Sequence, residues 1–376
     1  MSQHSAEIII VGGGVIGLAI ARALAVRGAH EVLLLERSEF GRESSFAAAG
    51  MLAPQAEADQ QDQFFELASR SLDLYPAFAT SLLEETGIDI EFDNTGTLYL
   101  AFTSADIEEI EQRYDWQKRA GLAVEKLSAS EVRQLEPCIS EDVCCGLKFT
   151  KDVQVENRLL VQALISSCKN YGVRLMPDTL VSAVKINRGG VQGVETSRGT
   201  FSSLTVIVAG GAWTNEIKGL PEIPIEPVRG QMVCLQAEPL ALRHVIYTPR
   251  GYVVPRHDGR VLAGTTSERV GFNKEVTEAG MLAIKTSTAE ISAILSSFPI
   301  LDSWAGLRPR APDNLPVLGP YGEIKGLVYA TGHYRNGILL APITGELIAQ
   351  AIIDDSLSPL LGPFAADRFR LVTALR

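Results

Sequence analysis

Three glycines near the amino terminus have a spacing that suits phosphate binding. Gly12, Gly14 and Gly17 form G-x-G-x-x-G directly after the aliphatic run at 8–11. In such a turn the first glycine allows a tight bend, the second lets the backbone approach a pyrophosphate, and the third lets a helix pack on the strand. A second aliphatic run ends at Glu36, about 20 residues further on, where an acidic side chain binds a ribose hydroxyl. We therefore predict a dinucleotide site.

Two arginines and a tyrosine are candidates for binding a small anionic substrate. A guanidinium matches a carboxylate with two parallel hydrogen bonds. The sequence context alone does not favour this role: Arg308 lies beside a proline as a solvated loop charge does, and Tyr252 lies on an alternating strand. Arg335 could simply cap the preceding strand. His333, in a glycine-rich turn, is expected to hydrogen-bond the backbone and is left out of the catalytic set.

Composition excludes several classes of function. The chain has 376 residues, enough for two domains, and a formal net charge of −11, which argues against nucleic acid or an anionic membrane as a partner. No apolar run approaches the roughly 18 residues of a membrane-spanning helix. The first strand begins so close to Met1 that no signal peptide is expected. Five cysteines without a C-x-x-C pair predict reduced thiols, no metal site and a cytoplasmic location.

Periodicity along the chain predicts the elements that carry these residues. Helices are expected at about 59–86, 104–121, 128–137, 158–172 and 279–298, with a last one ending at 353. Residues 88–102 alternate around Asn-Thr-Gly, which predicts an antiparallel hairpin, and 172–187 reads as one strand. A further hairpin turns at "RGGV", and 204–213 resembles the first strand in ending on glycines.

These elements predict two domains, because the chain leaves the nucleotide-binding domain and returns to it. The fold class is α/β, with a discontinuous Rossmann-like, doubly wound domain built from residues 1–82, 146–222 and 323–376. An antiparallel, sheet-rich α+β domain for the substrate is expected from residues 83–145 and 223–322.

Over nearly its whole length the sequence resembles the D-amino-acid oxidase type of FAD-dependent oxidoreductases. The motifs that carry the resemblance are Glu36, "VGGGVIGLAIA", "SSFAAAGM", "VIVAGGAW", "GLRPRAPDNLPVLG" and "ATGHYRNGILLAP". Within this family the last two motifs are most similar to the glycine oxidases, which feed thiazole synthesis in thiamine biosynthesis. The resemblance implies FAD rather than NAD. It also implies non-covalent binding, since Gly306 stands where sarcosine oxidases carry the cysteine that tethers the flavin.

The resemblance also implies roles for individual residues. Those holding the ADP half of FAD are Gly12, Gly14, Gly17 and Glu36, and the backbone of Val181 meets the adenine. Those along the ribityl chain and flavin ring are Ser45, Ala49, Gly50 and Met51. At a helix amino terminus near the flavin pyrimidine are Gly337, Ile338 and Leu339. Further cofactor contacts are Val15, Ile16, Arg37, Ser44, Gly210, Trp213 and Asn336. Arg308 and Tyr252 hold the substrate carboxylate, and Arg335 lies at the amine side and the flavin edge.

The activity so implied is oxidative deamination of glycine to glyoxylate, ammonia and hydrogen peroxide, by hydride transfer to flavin N5. Other small amines or D-amino acids are possible substrates, and molecular oxygen is the acceptor. The alternatives are a sarcosine or D-amino-acid oxidase or dehydrogenase and, in a different class, a non-catalytic flavin-binding assembly protein. The retained Arg308 and Tyr252 argue against a dead site. A homo-oligomer is expected from the family.

Overall fold

The computed structural model describes residues 4–238, 240 and 242–369. Its strands, numbered along the chain, are β1 Ile8–Val11, β2 Val32–Leu35, β3 Met51–Leu52, β4 Thr97–Ala101, β5 Glu125–Ser128, β6 Cys145–Phe149, β7 Val153–Gln154, β8 Arg174–Met176, β9 Val181–Asn187, β10 Gly190–Thr196, β11 Gly199–Ser202, β12 Thr205–Val208, β13 Glu226–Gln236, β14 Val245–Thr248, β15 Gly251–Pro255, β16 Arg260–Gly264, β17 Ile300–Arg310, β18 Val317–Pro320 and β19 Leu327–Thr331. The α-helices are α1 Val15–Val26, α2 Ser44–Ala47, α3 Pro54–Glu57, α4 Gln63–Thr86, α5 Ser104–Arg119, α6 Ala129–Leu135, α7 Asn157–Asn170, α8 Glu278–Ile291, α9 Ala293–Ser297 and α10 Gly337–Ile353. Short 3-10 helices cover Gly211–Glu216, Pro359–Phe364 and Ala366–Phe369.

The predicted nucleotide-binding sheet has the strand order β18-β19-β12-β1-β2-β8 and is parallel except for the edge strand β18. Its central strand β1 is buried on both faces, as predicted. Ile8 and Ile10 pack into the core with α1, α7 and α10, whereas Ile9 and Val11 pack into a second core on the opposite face. Burial on both sides explains why the strand is uninterrupted aliphatic sequence rather than alternating.

The second face of this sheet is covered by a small antiparallel sheet instead of helices. Strands β9, β10 and β11 form it, with the hairpin between β9 and β10 turning at the predicted "RGGV". Val184, Val194 and Phe201 from this small sheet join the same core as Ile9.

An eight-stranded sheet, ordered β17-β13-β16-β15-β14-β4-β6-β5, forms the other half of the molecule. It is antiparallel except for the pair β14 and β4. Its long pair β13 and β17 places Arg308 opposite Val228 and Gly306 opposite Gly230. The predicted fold class, a parallel Rossmann-like sheet with a largely antiparallel second sheet, is confirmed.

The hairpin predicted over 88–102 is wrong. Only Thr97–Ala101 forms a strand, because β4 already has β14 on one side and β6 on the other. Asp93 instead bridges to Gln154, and its carboxylate accepts the N–H of Thr95 at 2.9 Å, which makes a local turn.

Two other predicted elements are each divided. The helix expected over 279–298 breaks at Ser292, whose hydroxyl accepts the N–H of Leu295 and begins α9. The strand expected over 172–187 is β8 and β9, separated near Asp178, where φ is 50°. In both places a polar side chain that favours caps or turns interrupts the apolar pattern.

Two strands lie across or outside the domain boundaries expected from the sequence, and the division into domains stays a prediction. Strand β6, which a boundary at 146 would cut, pairs only with β4 and β5 of the eight-stranded sheet. Strand β18, expected in the substrate domain, pairs with β19. Residues 1–3 and 370–376 of the expected nucleotide-binding domain lie outside the described residues.

The structure gives the burial of the cysteines and the character of the helices. All five cysteines are free thiols, and Cys138, Cys168 and Cys234 are buried. Within the described ranges, no helix has the length and apolarity to cross a membrane.

Candidate active site

One cavity of about 530 Å³ opens where the strands of the parallel sheet end. It is lined by Gly12 and Glu36, which directly follow β1 and β2, and by Gly210, which lies two residues after β12. Ligands of α/β proteins bind at this edge of the sheet. The cavity is also lined by the predicted residues Gly14, Val15, Ile16, Arg37, Ser44, Ser45, Ala49, Gly50, Met51, Val181, Trp213, Tyr252, Arg308, Arg335, Asn336, Gly337 and Ile338. Gly17 and Leu339 do not line it.

The three motif glycines serve different purposes. Gly12 has φ +110°, and a Cβ there would lie 2.3 Å from the carbonyl oxygen of Ala209. A Cβ on Gly17 would lie 1.9 Å from the carbonyl oxygen of Gly12, so this glycine allows the helix to pack on the turn. Gly14 faces the cavity, and its nearest obstacle is the Ser45 hydroxyl at 3.3 Å. The backbone at Gly14 is therefore open to a group such as a pyrophosphate.

Glu36 is fixed beneath the glycine turn. Its carboxylate accepts the N–H of Gly13 at 2.7 Å and the N–H of Ser38 at 3.1 Å. At the amino end of α1, the Ser45 hydroxyl accepts the N–H of Val15 at 2.9 Å, so one of the helix's terminal donors is already used. Glu36 has remaining acceptor capacity toward the cavity, as a ribose contact requires.

An aromatic and charged wall closes the same end of the cavity. The Arg37 guanidinium stacks 3.5 Å from the ring centre of Trp213 and pairs with Glu43. Trp213 stacks on Phe272 with 5.6 Å between ring centres, and the Lys274 ammonium lies 2.9 Å from Glu43. Phe272 and Lys274 lie in the loop after β16 and support Trp213 and Glu43 from outside the cavity lining.

The small-residue segment between α2 and β3 is held from outside by a buried arginine that sequence reasoning did not select. The Arg256 guanidinium donates to the carbonyl oxygens of Ala49 at 2.8 Å and Val155 at 3.0 Å, and it pairs with Glu156. Gly50 has φ +75°, and a Cβ there would lie 2.0 Å from the Val155 oxygen. The small side chains therefore let neighbouring backbone approach this segment on one side and leave the cavity open on the other.

Helix α10 begins at Gly337 and points its amino end at the cavity, with no side-chain cap. Its first turn is anchored from behind, where the Tyr75 hydroxyl donates to the carbonyl oxygen of Ile338 and the Ser71 hydroxyl donates to that of Leu339. The Leu339 side chain lies in the core. The positive end of the helix dipole thus faces the cavity and favours negative charge there.

Arg308 is a partly buried cation whose hydrogen bonds in the described protein are all to neutral groups. It donates to the carbonyl oxygen of Thr266 at 3.1 Å and to the hydroxyl of Thr265 at 2.8 Å. No carboxylate among the described residues forms an ion pair with it. Burial lowers the pKa of Arg308, because removal from water disfavours the charged form. A guanidinium in this state favours the approach of an anion.

Arg335, in contrast, has a partner. Its guanidinium donates to both oxygens of Glu57, at 2.8 Å and 3.0 Å, and to the hydroxyl of Tyr247 at 2.6 Å. Tyr247 donates in turn to Glu57 at 2.7 Å. Burial alone would raise the pKa of Glu57, but Arg335 and Tyr247 hold it below its usual value, and Glu57 raises the pKa of Arg335. Sequence reasoning missed Glu57 and Tyr247, which are distant from Arg335 along the chain.

Tyr252 and His333 also line the cavity. Tyr252 is buried on β15, and its ring lies 5.8 Å from that of Tyr247. His333 lies 3.2 Å from the Thr344 hydroxyl through its Nε2, so its partner is a side chain and not the expected backbone. Burial lowers the pKa of His333 to about 3, which keeps the imidazole neutral at ordinary pH.

Known proteins resemble this chain over almost all of its length. The model of a family described as FAD dependent oxidoreductase matches residues 7–351. The bifunctional protein ThiO/ThiG of Trichormus variabilis is 36% identical over 368 residues, which are 97% of this chain and 55% of that protein. The glycine oxidase of Geobacillus kaustophilus is 34% identical over 370 residues, 97% of each chain. A crystal structure of glycine oxidase from Geobacillus kaustophilus matches with a TM-score of 0.93 at 33% identity, covering 97% of this chain and 99% of that one. The chain spans about half the length of the bifunctional relatives.

Proposed function

The chain belongs to the FAD-dependent oxidoreductase family, and from this premise we propose that it converts glycine, water and oxygen to glyoxylate, ammonia and hydrogen peroxide, with water hydrolysing the imine formed on oxidation. Its cofactor is FAD. The glycine turn, the carboxylate of Glu36 and the amino end of α10 suit the phosphates, the ribose and the electron-rich side of the flavin respectively. When bound, FAD supplies the oxidising power, accepting two electrons from the substrate carbon and passing them to oxygen.

The observation that carries this proposal is the uncompensated guanidinium of Arg308 in the same cavity. A free amino acid brings one carboxylate, and the planar fork of arginine binds a carboxylate with two parallel hydrogen bonds. Thr265 and Thr266 hold the guanidinium in place before substrate arrives, which reduces the ordering cost of binding. Arg308 therefore orients the substrate Cα, and Tyr252 lies beside the same end of the cavity.

The chain's remaining contributions concern the substrate amine: its position in the pocket and the path of its proton. Glycine must lose its ammonium proton before it is oxidised. His333 is neutral but is engaged with Thr344, so we propose that this proton passes to solvent rather than to that imidazole. Arg335, with Glu57, lies at the amine side of the pocket in this proposal.

The biological setting is proposed on the same basis. Relatives named ThiO/ThiG combine two activities in one chain, and the matching half corresponds to this protein. We propose that the product feeds thiazole synthesis for thiamine. The division into a cofactor and a substrate domain, non-covalent attachment of FAD, a cytoplasmic location and a homo-oligomeric state remain predictions.

The test is oxygen consumption by the purified, FAD-loaded protein with glycine, sarcosine and D-alanine at equal concentrations. We expect the highest kcat/KM with glycine, together with glyoxylate and hydrogen peroxide in equal amounts. A clear preference for sarcosine or D-alanine would replace glycine oxidase activity by one of the two alternatives. If the protein with fully bound FAD consumes no oxygen with any of the three substrates, the proposal is contradicted.

A further inference from the structure

Three guanidiniums line the cavity: that of Arg37 pairs with Glu43 at the cofactor end, that of Arg335 pairs with Glu57, and that of Arg308 has no carboxylate partner among the described residues. Arg308 donates to neutral groups of Thr265 and Thr266. Arg335 has two hydrogen bonds to the oxygens of Glu57 at 3.0 Å or less. Two arginines that both faced the cavity unpaired would suit a substrate with two carboxylates, so the partner of Arg335 decides what the pocket accepts.

Building on the proposed function, we propose that Glu57 is the specificity-determining residue that restricts this pocket to substrates with a single carboxylate. Arg308 and Arg335 together bring two positive charges, and Glu57 removes one, which leaves one uncompensated positive charge. The other titratable groups that line this end of the cavity are Tyr252, Tyr334 and His333, and the imidazole is neutral. A monocarboxylate completes the charge balance, whereas a second carboxylate would meet Glu57 and be repelled.

Glu57 is a built-in part of the pocket and not a surface carboxylate that happens to be near. It is the last residue of α3, and its side chain is only 17% exposed. The amino end of α3 is fixed by Asp152, whose carboxylate accepts the N–H groups of Gln55 at 3.1 Å and Ala56 at 2.7 Å. Asp152 is not among the residues that line the cavity. The position of Glu57 against Arg335 is therefore determined by the fold before any substrate binds.

The Tyr247 hydroxyl provides a matched control for charge. It hydrogen-bonds both Glu57 and Arg335 and is itself buried, with a pKa raised well above the usual value mainly by burial. Tyr247→Phe removes these hydrogen bonds and leaves every charge in place. Glu57→Gln keeps the size of the side chain and removes the charge, and Glu57→Asp keeps the charge.

The experiment measures anion binding to the holoenzyme from the change in flavin absorbance, with acetate as the monoanion and malonate and succinate as dianions. In Glu57→Gln the affinity for at least one dianion relative to acetate should rise about tenfold or more, as expected for one new charge-assisted hydrogen bond. Tyr247→Phe and Glu57→Asp should keep the ratio of the unchanged protein. FAD content and the melting temperature are recorded for each variant.

The proposal is overturned if Glu57→Gln binds FAD normally and keeps the original ratio, or if Tyr247→Phe shifts the ratio equally. Should Glu57→Gln fail to fold, Arg335→Gln provides an independent measurement. With Glu57 left unpaired, this variant should bind acetate about tenfold more weakly or worse. The double variant with Glu57→Gln restores one net positive charge and should recover acetate binding. Unchanged acetate binding in Arg335→Gln would also overturn the proposal.

These measurements need no turnover. A protein that fails to oxidise glycine but shows the expected change in anion preference would contradict the proposed function and leave the role of Glu57 intact. The reverse pattern would contradict only the role of Glu57.

Discussion

Replacing Arg308 tests the substrate contact on which the proposed function depends. A guanidinium carries five N–H donors, and Thr265 and Thr266 use two of them, which leaves a fork for a carboxylate. Arg308→Lys keeps the charge and loses the fork, so one of two parallel hydrogen bonds to the substrate disappears. A hydrogen bond to a charged group is worth about 1.5–3 kcal/mol, which corresponds to roughly ten- to a hundredfold in kcat/KM.

Arg308→Ala should cost more than Arg308→Lys, because no cation remains to orient the substrate. Both variants should bind FAD normally. Since the guanidinium has no anionic partner in the described protein, its removal should leave the melting temperature unchanged or raise it. A lower melting temperature together with loss of FAD would instead indicate a structural role.

The assay compares glycine with methylamine, which lacks the carboxylate. Steady-state oxygen consumption gives kcat/KM for each substrate with each variant. Arg308→Ala should lose its rate with glycine and leave the weak activity with methylamine nearly unchanged. An equal fractional loss on both substrates would refute the assignment of Arg308 to the carboxylate.

Three further predictions follow from the cofactor end of the cavity and from the buried imidazole. Glu36→Gln should weaken FAD binding about tenfold, measured by fluorescence of released flavin, because it loses a charge-assisted contact to the ribose; unchanged affinity would remove Glu36 from the site. Acid precipitation should release all the FAD into the supernatant, since Gly306 provides no thiol for a covalent bond, and flavin that stays with the pellet would contradict this. His333 has a pKa of about 3 in the folded protein against 6.5 in the unfolded chain, so the unfolded state binds more protons between these two values. The stability that the neutral imidazole contributes is therefore fully present above pH 6.5 and is lost on acidification. Urea unfolding with excess FAD should show that the free energy of unfolding falls by about 2 kcal/mol less in His333→Asn than in the unchanged protein between pH 8 and pH 5. Equal decreases in the two proteins would mean that His333 titrates normally in the fold.

Features that depend on neighbours in sequence were predictable. The turn that begins at Gly12 follows its strand directly, and the packing constraints on Gly12 and Gly17 arise within one strand–turn–helix unit and the strand beside it. The parallel strand β12 was recognisable from its aliphatic run and its terminal glycines for the same reason. Arg308 was selected from a motif that resembles a family, since its own surroundings in the sequence indicated a solvated loop.

Features that depend on distant pairing were not predictable. Glu57 meets Arg335 across 278 positions, and Arg256 meets Ala49 across 207, so neither contact leaves a local pattern. The false hairpin has the same origin. The alternation through β4 is real, but its partners β14 and β6 come from elsewhere in the chain.

The most direct test of the central claim is to mix glycine with the FAD-loaded protein in the absence of oxygen and record the flavin absorbance. This measurement reports oxidation of the substrate alone and is independent of the electron acceptor. We predict rapid bleaching of the oxidised flavin band by glycine, and bleaching at least about tenfold slower in Arg308→Lys. A flavin that stays oxidised with glycine, or that bleaches equally fast without the Arg308 guanidinium, would contradict the account.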